Sequence, residues 1–342
     1  MAGNLVTLLS THGLPELSDL VMKQFSHLDE MVQPNAAQLF ISEDLSSHGS
    51  DQKRYDEVDI DTFASLKRQG ESAIRARANI GYSKTMTARR FAKEIEVTYE
   101  FRRYAQQYAK RVASDLQSLS HFVPNRFDLN LTHMFTFADA TSYTDMDGES
   151  VDTTTGDAVA FASASHTLSA SSSTYSNIVT GGPAISQGSL EVAENLYTTN
   201  ILSNMGEKRV MKPNIIVTSD DAPTCRTVRQ ILESTSDIDA AHAGVMNTYG
   251  GKYRHVILPY LATTATGAAD STKKRRWVLV AQYGNPSNSL QAYHGVFEQP
   301  NVKTPEGTGI DFSRDTWLFG CRGSQGIALL SGRGAVFSLV VN

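Results

Sequence analysis

The sequence is poor in cysteine and has no long apolar run. Its 342 residues contain two cysteines, Cys225 and Cys321, and because no paired spacing relates them, they favour neither a disulfide scaffold nor a zinc module. No stretch reaches the roughly 18–20 consecutive apolar residues of a membrane-spanning helix, and no basic segment precedes the short apolar run at the N-terminus, as a secretory signal requires. These absences argue against a membrane protein and indicate synthesis in a reducing, intracellular compartment.

Motifs for catalysis and metal binding are also missing. The stretch 145–148 resembles the start of a calcium loop, but the chain has Ser150 and Gly156 where an EF-hand needs glycine and a bidentate glutamate. No two histidines have the i, i+4 spacing of a helical metal site. No serine lies in a G-x-S-x-G elbow, so a hydrolase that uses His166 with a nearby serine is a distant alternative. We therefore predict no catalytic residue, no cofactor and no metal site.

Three other clusters have ordinary interpretations. Cys225 is in phase with the apolar residues of a predicted helix, which favours a packed core thiol over a reactive one. The glycine runs at 320–326 and 332–334 lack the spacing of phosphate-binding loops and predict hairpin turns between strands. The basic cluster 273–276 has no interleaved aromatic residues for base stacking. We interpret it as a solvated loop or an inter-subunit contact, with a nucleic-acid patch as the alternative.

The net charge of -5 hides a strong division along the chain. Residues 1–60 carry a charge of -7, residues 61–113 carry +7, and residues 114–342 carry -5. Such asymmetry is typical of an interaction surface. The partner of the basic segment is either nucleic acid or an acidic surface of another copy of the chain.

Local patterning divides the first third of the chain into an arm, a hairpin and a helix. Residues 1–60 are weakly patterned and predict an extended arm without its own core. Residues 89–97 alternate polar and apolar side chains, which predicts strand structure in a basic hairpin at 61–97. Apolar residues then recur at steps of three and four, which predicts an amphipathic helix over 98–121 that stops before Pro124.

Alternating strands and helices are predicted from Lys212 onwards. Residues 214–217 have the composition of a short buried strand, and a helix that carries Cys225 follows it. Further strands are predicted at 255–258, 277–281, 291–297, 316–319, 326–330 and 335–341. The chain is therefore predicted to have an α+β fold.

Several phrases of the sequence, in their order and spacing, resemble one family. They are GYSKT at 81–85, IEVTYE at 95–100, FASASH at 161–166, NIIV at 214–217 and YRHVILPYL at 253–261. The first two are similar to the return strand of the extended loop, and the start of the spine helix, in tailed-phage major capsid proteins of the Hong Kong 97 type. The others resemble that family's central segment and axial domain. The resemblance covers essentially the whole chain and implies the Hong Kong 97-type capsid fold.

The resemblance implies a division of the chain into four parts. These parts are the N-terminal arm at 1–60, the extended hairpin loop at 61–97, the peripheral domain at 98–212 and 291–342 with its spine helix at 98–121, and the axial domain at 213–290. Copies of the axial domain would meet around the axis of each capsomere, and the hairpin would lie over the adjacent subunit.

The resemblance also implies the partners. Copies of the chain are expected to form the hexamers and pentamers of an icosahedral head that encloses double-stranded DNA without sequence-specific binding, in a virion assembled in the host cytoplasm. The arm is too short for the removable scaffolding segment of many relatives, so a separate scaffolding protein and a portal are expected. Lys67 and Lys84 are formal candidates for the crosslink that some relatives form. The alternative is an encapsulin-type shell around a protein cargo, against which the long acidic arm argues.

The charge division has a use in such a shell. The basic segment 61–113 of charge +7, which contains the hairpin, and an arm of charge -7 can pair between copies, which fixes register more than it adds affinity. The residues predicted to contact acidic side chains of neighbouring subunits are Arg75, Arg77, Lys84, Arg89 and Arg90. The alternative, a hairpin that faces DNA, predicts weaker genome retention when these charges are reversed.

Overall fold

The computed structural model describes residues 35–60, 66–70, 72, 75, 78–98, 108–236, 246–283, 289–303 and 316–340. Within these ranges the chain forms two four-stranded sheets, three two-stranded ribbons and three α-helices. Helices and sheets both contribute side chains to the core, so the predicted α+β class is confirmed. None of these helices is long and apolar enough to cross a membrane.

The helices and strands are numbered in chain order. The strands are β1 Ile41–Asp44, β2 Gln52–Ile60, β3 Ala78–Thr87, β4 Arg89–Thr98, β5 Ser142–Thr144, β6 Ser150–Asp152, β7 His166–Thr167, β8 Thr174–Tyr175, β9 Ile215–Thr218, β10 Arg254–Ile257, β11 Trp277–Val280, β12 Gln291–Lys303, β13 Thr316–Ser331 and β14 Ala335–Ser338. The helices are α1 Tyr108–Thr136, α2 Gln187–Thr199 and α3 Ala222–Glu233. Two short 3-10 helices, Asn35–Leu39 and Pro259–Ala262, precede β1 and follow β10.

Four strands form what we call the long sheet, in the order β1-β12-β13-β4. β1 runs parallel to β12, and the other neighbours are antiparallel. Helix α1 packs on one face, where Val123 and Cys321 belong to one apolar cluster. The β2–β3 hairpin packs on the other face, where Met86 and Leu330 belong to a second cluster. Because successive side chains of a strand point to opposite faces, β13 contributes to both clusters and forms the middle of three layers.

Four further strands form what we call the short sheet, in the order β10-β9-β11-β14. The C-terminal half of α1 covers one face, and α2 and α3 cover the other. Burial on both faces explains the unbroken apolar runs of β9 and β11. The strands predicted at 214–217, 255–258 and 277–281 are confirmed to within one residue. The fourth strand, β14, comes from the range 291–342 that the resemblance assigned to the peripheral domain.

Helix α1 continues through Pro124, whereas the sequence predicted that it stops at 121. A proline inside a helix costs about 3 kcal/mol. The turns after it bury Phe127, Leu131 and Phe135 in the core, and each such side chain contributes roughly 1.5–3 kcal/mol. Burial therefore outweighs the lost backbone hydrogen bond and overrides the local stop signal. Residues 99–107, in the first part of the predicted helix, lie outside the described residues.

The first of the two glycine-rich runs lies inside β13, which corrects the prediction of hairpin turns there. A β-carbon at Gly323 would lie 2.8 Å from Val123 Cγ1 on α1, and one at Gly326 would lie 2.5 Å from Met86 Cγ on β3. The absent side chains let the helix and the hairpin approach the two faces of one strand closely. The second run, 332–334, does form a turn, between β13 and β14.

The hairpin starts earlier than predicted. Strand β2 lies inside the segment that was assigned to the arm, yet it pairs antiparallel with β3 from Gln52 to Ile60. Its side chains alternate, so that Tyr55 and Glu57 are buried against the body while their neighbours are exposed. The sequence did not predict β2, because the buried Glu57 is polar and so interrupts the alternation of polar and apolar residues that is typical of a strand.

Two of the three buried histidines among the described residues, His133 and His294, lie where burial strongly disfavours their charged form. His133 of α1 is 1% exposed, and its Nε2 lies 3.0 Å from Thr263 Oγ1. His294 of β12 is 3% exposed. Burial lowers the pKa of each imidazole to about 4, and the charges of Lys273 and Arg126 add to the effect at His133. Both side chains are therefore held in the neutral form.

We expect the chain to lose stability as the pH falls from 6.5 towards 4. In that window the unfolded chain takes up protons that the buried imidazoles do not accept, because their pKa in the folded state lies below the unfolded value. Each histidine contributes about 3 kcal/mol to the loss. Urea unfolding midpoints across this pH range test the prediction. His294→Gln is expected to flatten the slope, whereas the same change at the exposed His48 is the control. An unchanged slope in His294→Gln would contradict the prediction.

Candidate functional site

The β2–β3 hairpin carries an apolar pair on its outer face. The register between the two strands shifts between Asp56 and Val58, and such a bulge changes which side chains face the body. Beyond it, Val58 and Ile80 are cross-strand partners with exposed fractions of 64% and 70%. We call these two residues the outer pair. Two β-branched side chains exposed side by side on a hairpin form a surface suited to contact with another chain.

Two of the predicted basic residues reach acidic side chains of the same chain. Lys84 Nζ lies 2.6 Å from Asp152 Oδ2 and donates a hydrogen bond to Thr154 Oγ1 at 2.7 Å. Arg89 Nη2 lies 2.9 Å from Asp145 Oδ2. Both acids follow α1 in the chain, Asp145 directly after β5 and Asp152 at the end of β6. The basic strands β3 and β4 are therefore fastened to the body of their own subunit, and a contact of these two residues with a neighbour stays a prediction.

The other predicted contact residues have a different environment. Arg75 and Arg90 are exposed, and neither makes an ion pair with another residue in the described ranges. Arg77 lies outside the described residues. Lys67, a formal crosslinking candidate, is exposed as well. Within the described residues, these two arginines on and beside the hairpin thus remain available to a partner.

The stretch that resembles a calcium loop is a turn centred on a buried carboxylate. Asp145 Oδ1 accepts hydrogen bonds from the backbone N–H groups of Asp147 and Glu149, both at 3.0 Å. Its Oδ2 lies 2.9 Å from Arg89 and 3.0 Å from Arg126. Burial raises the pKa of Asp145, but the backbone donors and the two guanidinium groups outweigh this and lower the pKa overall. Both oxygens of the Asp145 carboxylate are therefore already occupied by donors of the chain itself.

This carboxylate joins three elements. Arg89 begins β4, Arg126 lies in the middle of α1, and Asp145 begins the turn between β5 and β6. The guanidinium of Arg126 also lies 5.2 Å from the ring centroid of Phe91 on β4, in a cation–π contact. The cluster fixes the start of β4, and hence the base of the hairpin, relative to the helix. The role of Arg126 was not predicted, because one arginine in a helix carries no sequence signal of its partner.

The hydrolase alternative rests on His166. In the structure this side chain is buried and is held by an acid and an aromatic ring. His166 Nδ1 lies 3.0 Å from Asp157 Oδ2, and the imidazole stacks on Tyr175 with the ring centroids 4.8 Å apart. Burial opposes ionisation of Asp157, but the hydrogen bonds from His166 and Thr155 lower its pKa. Among the described residues Nε2 has no hydrogen-bond partner, and it lies against Gly332 rather than a serine hydroxyl. A nucleophile at the position that a triad requires is therefore not found in the described chain.

The basic cluster 273–276 is used mainly inside the subunit. Arg276 is buried, and it donates a hydrogen bond at 3.0 Å to the carbonyl oxygen of Thr136, the last residue of α1. It also lies 3.0 Å from Asp139. A cation at this position stabilises the carboxyl end of a helix. Lys273 lies 3.9 Å from the ring centroid of Phe137. Arg276 thus caps the helix and Lys273 packs on Phe137, two roles that the sequence pattern did not reveal.

The buried thiol of Cys225 fits its predicted role in the core. The residue is 8% exposed, and its Sγ donates to the carbonyl oxygen of Ser219 at 3.3 Å. A thiol packed between β9 and α3 behaves as a small apolar side chain.

Comparison with known proteins identifies a fold but no sequence family. No protein-family model and no curated protein matches the chain. Among solved structures, a protein of Gordonia phage Cozz is 11% identical and has a TM-score of 0.52, with 89% of this chain and 85% of that chain covered. A chain of the cyanophage Pam1 capsid asymmetric unit is 13% identical, with a TM-score of 0.48 and 87% of both chains covered. A protein of Mycobacterium phage Bobi is 11% identical, with a TM-score of 0.47 and 89% of both chains covered.

The match to the Gordonia phage Cozz protein shows that the chain has a fold found in a phage protein. The similarity to phage proteins that the sequence predicted is thus confirmed at the level of the fold.

We expect Asp145→Asn to destabilise the chain by about 2–3 kcal/mol, because it leaves two guanidinium groups without their shared carboxylate. Asp147→Asn is the matched control. It removes a carboxylate 2.8 Å from the same Arg126, but the Asp147 side chain is 59% exposed, so its loss costs less than about 1 kcal/mol. Urea unfolding of both variants in the same oligomeric form measures the difference. Equal losses in the two variants would show that Asp145 has no special role.

Proposed function

We propose that this chain is the major capsid protein of a tailed phage, with the Hong Kong 97-type fold. Its copies would form the hexamers and pentamers of an icosahedral head that encloses double-stranded DNA. The observation that carries the proposal is the fold shared with the Gordonia phage Cozz protein over 89% of this chain. The sequence resemblance to tailed-phage capsid proteins, which extends over the whole chain, supports the same function independently.

The hairpin supplies a means of contact between copies. Its outer pair and the exposed Leu66, which is 83% exposed, are apolar surfaces that face away from the subunit. Arg75 and Arg90 lie on and beside the same hairpin with exposed side chains. In the proposed shell this hairpin lies over the adjacent subunit, where the apolar residues gain burial and the arginines gain acidic partners.

The same features favour a protein partner for the hairpin over DNA. Lys84 and Arg89 are already paired with Asp152 and Asp145, so two of the five predicted contact cations are neutralised within the chain. Binding to phosphate depends on free cations, whereas an apolar outer pair contributes nothing to such a contact. We therefore assign the hairpin to the shell rather than to the genome.

Purified particles from cells that produce the chain test the proposed function. We expect closed icosahedral particles in electron micrographs, with a portal vertex and nuclease-protected double-stranded DNA when the other head proteins of the phage are present. Particles of one size that hold an enzyme cargo and lack a portal would instead support the encapsulin alternative. A chain that elutes as a folded monomer at micromolar concentration would contradict both.

We expect the double variant Val58→Ser/Ile80→Ser to fold but to assemble at least about tenfold less efficiently, since each apolar side chain loses roughly 1.5–3 kcal/mol of burial in the contact. Val192→Ser on α2 is the control, because this valine is also exposed, at 48%, but lies away from the hairpin. Circular dichroism checks folding and sedimentation measures the yield of particles. Variants that assemble normally but lose packaged DNA would contradict a hairpin that faces protein.

A further inference from the structure

A buried arginine stands where the two sheets meet. β13 of the long sheet ends at Ser331, β14 of the short sheet begins at Ala335, and the turn 332–334 connects them. In this turn Arg333 is 4% exposed. A guanidinium inside a protein is stable only when a carboxylate and oxygen acceptors satisfy its charge and its N–H groups.

The partners of this guanidinium come from two other parts of the chain. Nη1 of Arg333 forms an ion pair with Glu57 of β2, which is 3% exposed. Nε donates to the carbonyl oxygen of Leu202 at 2.6 Å, and Nη2 donates to Asn204 Oδ1 at 2.7 Å. The guanidinium also lies 5.3 Å from the ring centroid of Tyr175 on β8. One side chain thus fastens the hairpin and the 202–204 loop to the turn.

The two strands of the hairpin also contact the 202–204 loop directly. Asp59 of β2 accepts a hydrogen bond from the backbone N–H of Asn204 at 2.9 Å. On β3, a β-carbon at Gly81 would lie 2.6 Å from Asn204 Nδ2, so the backbone of the strand lies directly against this side chain. Both strands of the hairpin therefore contact the loop that Arg333 holds.

The backbone of the turn is fixed to the short sheet at the same time. The carbonyl oxygen of Gly334 accepts hydrogen bonds from the backbone N–H of Ala281 at 2.9 Å and from the Tyr197 hydroxyl at 3.0 Å. The carbonyl oxygen of Gly332 accepts one from Asn177 Nδ2 at 3.1 Å. A hairpin that moves away from Arg333 leaves a buried charge without its carboxylate, unless the turn rearranges with it.

We propose that Arg333 couples the position of the β2–β3 hairpin to the short sheet. The hairpin and the turn that starts β14 move as one unit, so that a contact made by the hairpin changes the edge of the short sheet. The coupling is a property of a single chain and is independent of the proposed capsid function. In a shell, it would carry a change at one subunit's hairpin into the body of that subunit.

Hydrogen exchange of the full chain tests the coupling. In Glu57→Gln, which keeps the shape of the side chain but removes its charge, we expect about tenfold faster exchange both in β2–β3 and in β14. The matched control is Asp152→Asn, which removes another ion pair between the hairpin and the body, that with Lys84. This control is expected to accelerate exchange in β2–β3 only. Faster exchange in Glu57→Gln that is confined to the hairpin would overturn the proposal.

A measurement on the unchanged chain covers the case in which Glu57→Gln does not fold. Under mildly denaturing urea, amide groups of β2 and β14 are expected to open together in one step whose free energy lies below that of global unfolding. Amides of β2 that open in such a step while those of β14 do not would overturn the coupling.

Discussion

The architecture depends on close packing against both faces of β13. This strand pairs with β12 and β4 in the middle of the long sheet, and it must accept a helix on one face and a hairpin on the other. Gly323 and Gly326 meet this requirement, because a side chain at either position would overlap Val123 or Met86. Glycine weakens an isolated strand, but here the close contact of three layers more than compensates. The long helix and the hairpin are both positioned from this one strand.

Charged groups then determine where the hairpin lies. A two-stranded hairpin is marginally stable in water by itself, so its orientation needs contacts beyond its own ladder. The Glu57–Arg333 and Lys84–Asp152 pairs fasten its two strands, and the Asp145 cluster fixes the start of β4 next to it. Contacts between copies are therefore not needed to explain all of the charge division seen in the sequence. Part of the basic segment is neutralised by acids of its own subunit.

The sequence predicted the features that depend on local patterns and missed those that depend on distant contacts. The strands at 214–217, 255–258 and 277–281 are continuous apolar runs, and the structure confirms them. Pro124 favours the end of a helix, and the glycines of β13 favour a turn. Tertiary packing overrides both of these local preferences. The acids that pair with Lys84 and Arg89 lie 68 and 56 residues away, so no spacing rule could identify them. The same is true of Arg333, whose carboxylate partner lies 276 residues away.

Three polar clusters of the described residues that could have supported chemistry hold the chain together instead. The Asp145 carboxylate has its oxygens occupied by backbone N–H groups and two arginines. His166 orients Asp157, and Arg276 caps a helix. The hairpin and the strand beside it offer a partner the apolar outer pair and the exposed Arg75 and Arg90. Among the exposed large apolar side chains of the described residues, Val58, Leu66 and Ile80 lie on the hairpin, so the proposed contact between copies would bury apolar surface that a single subunit leaves exposed.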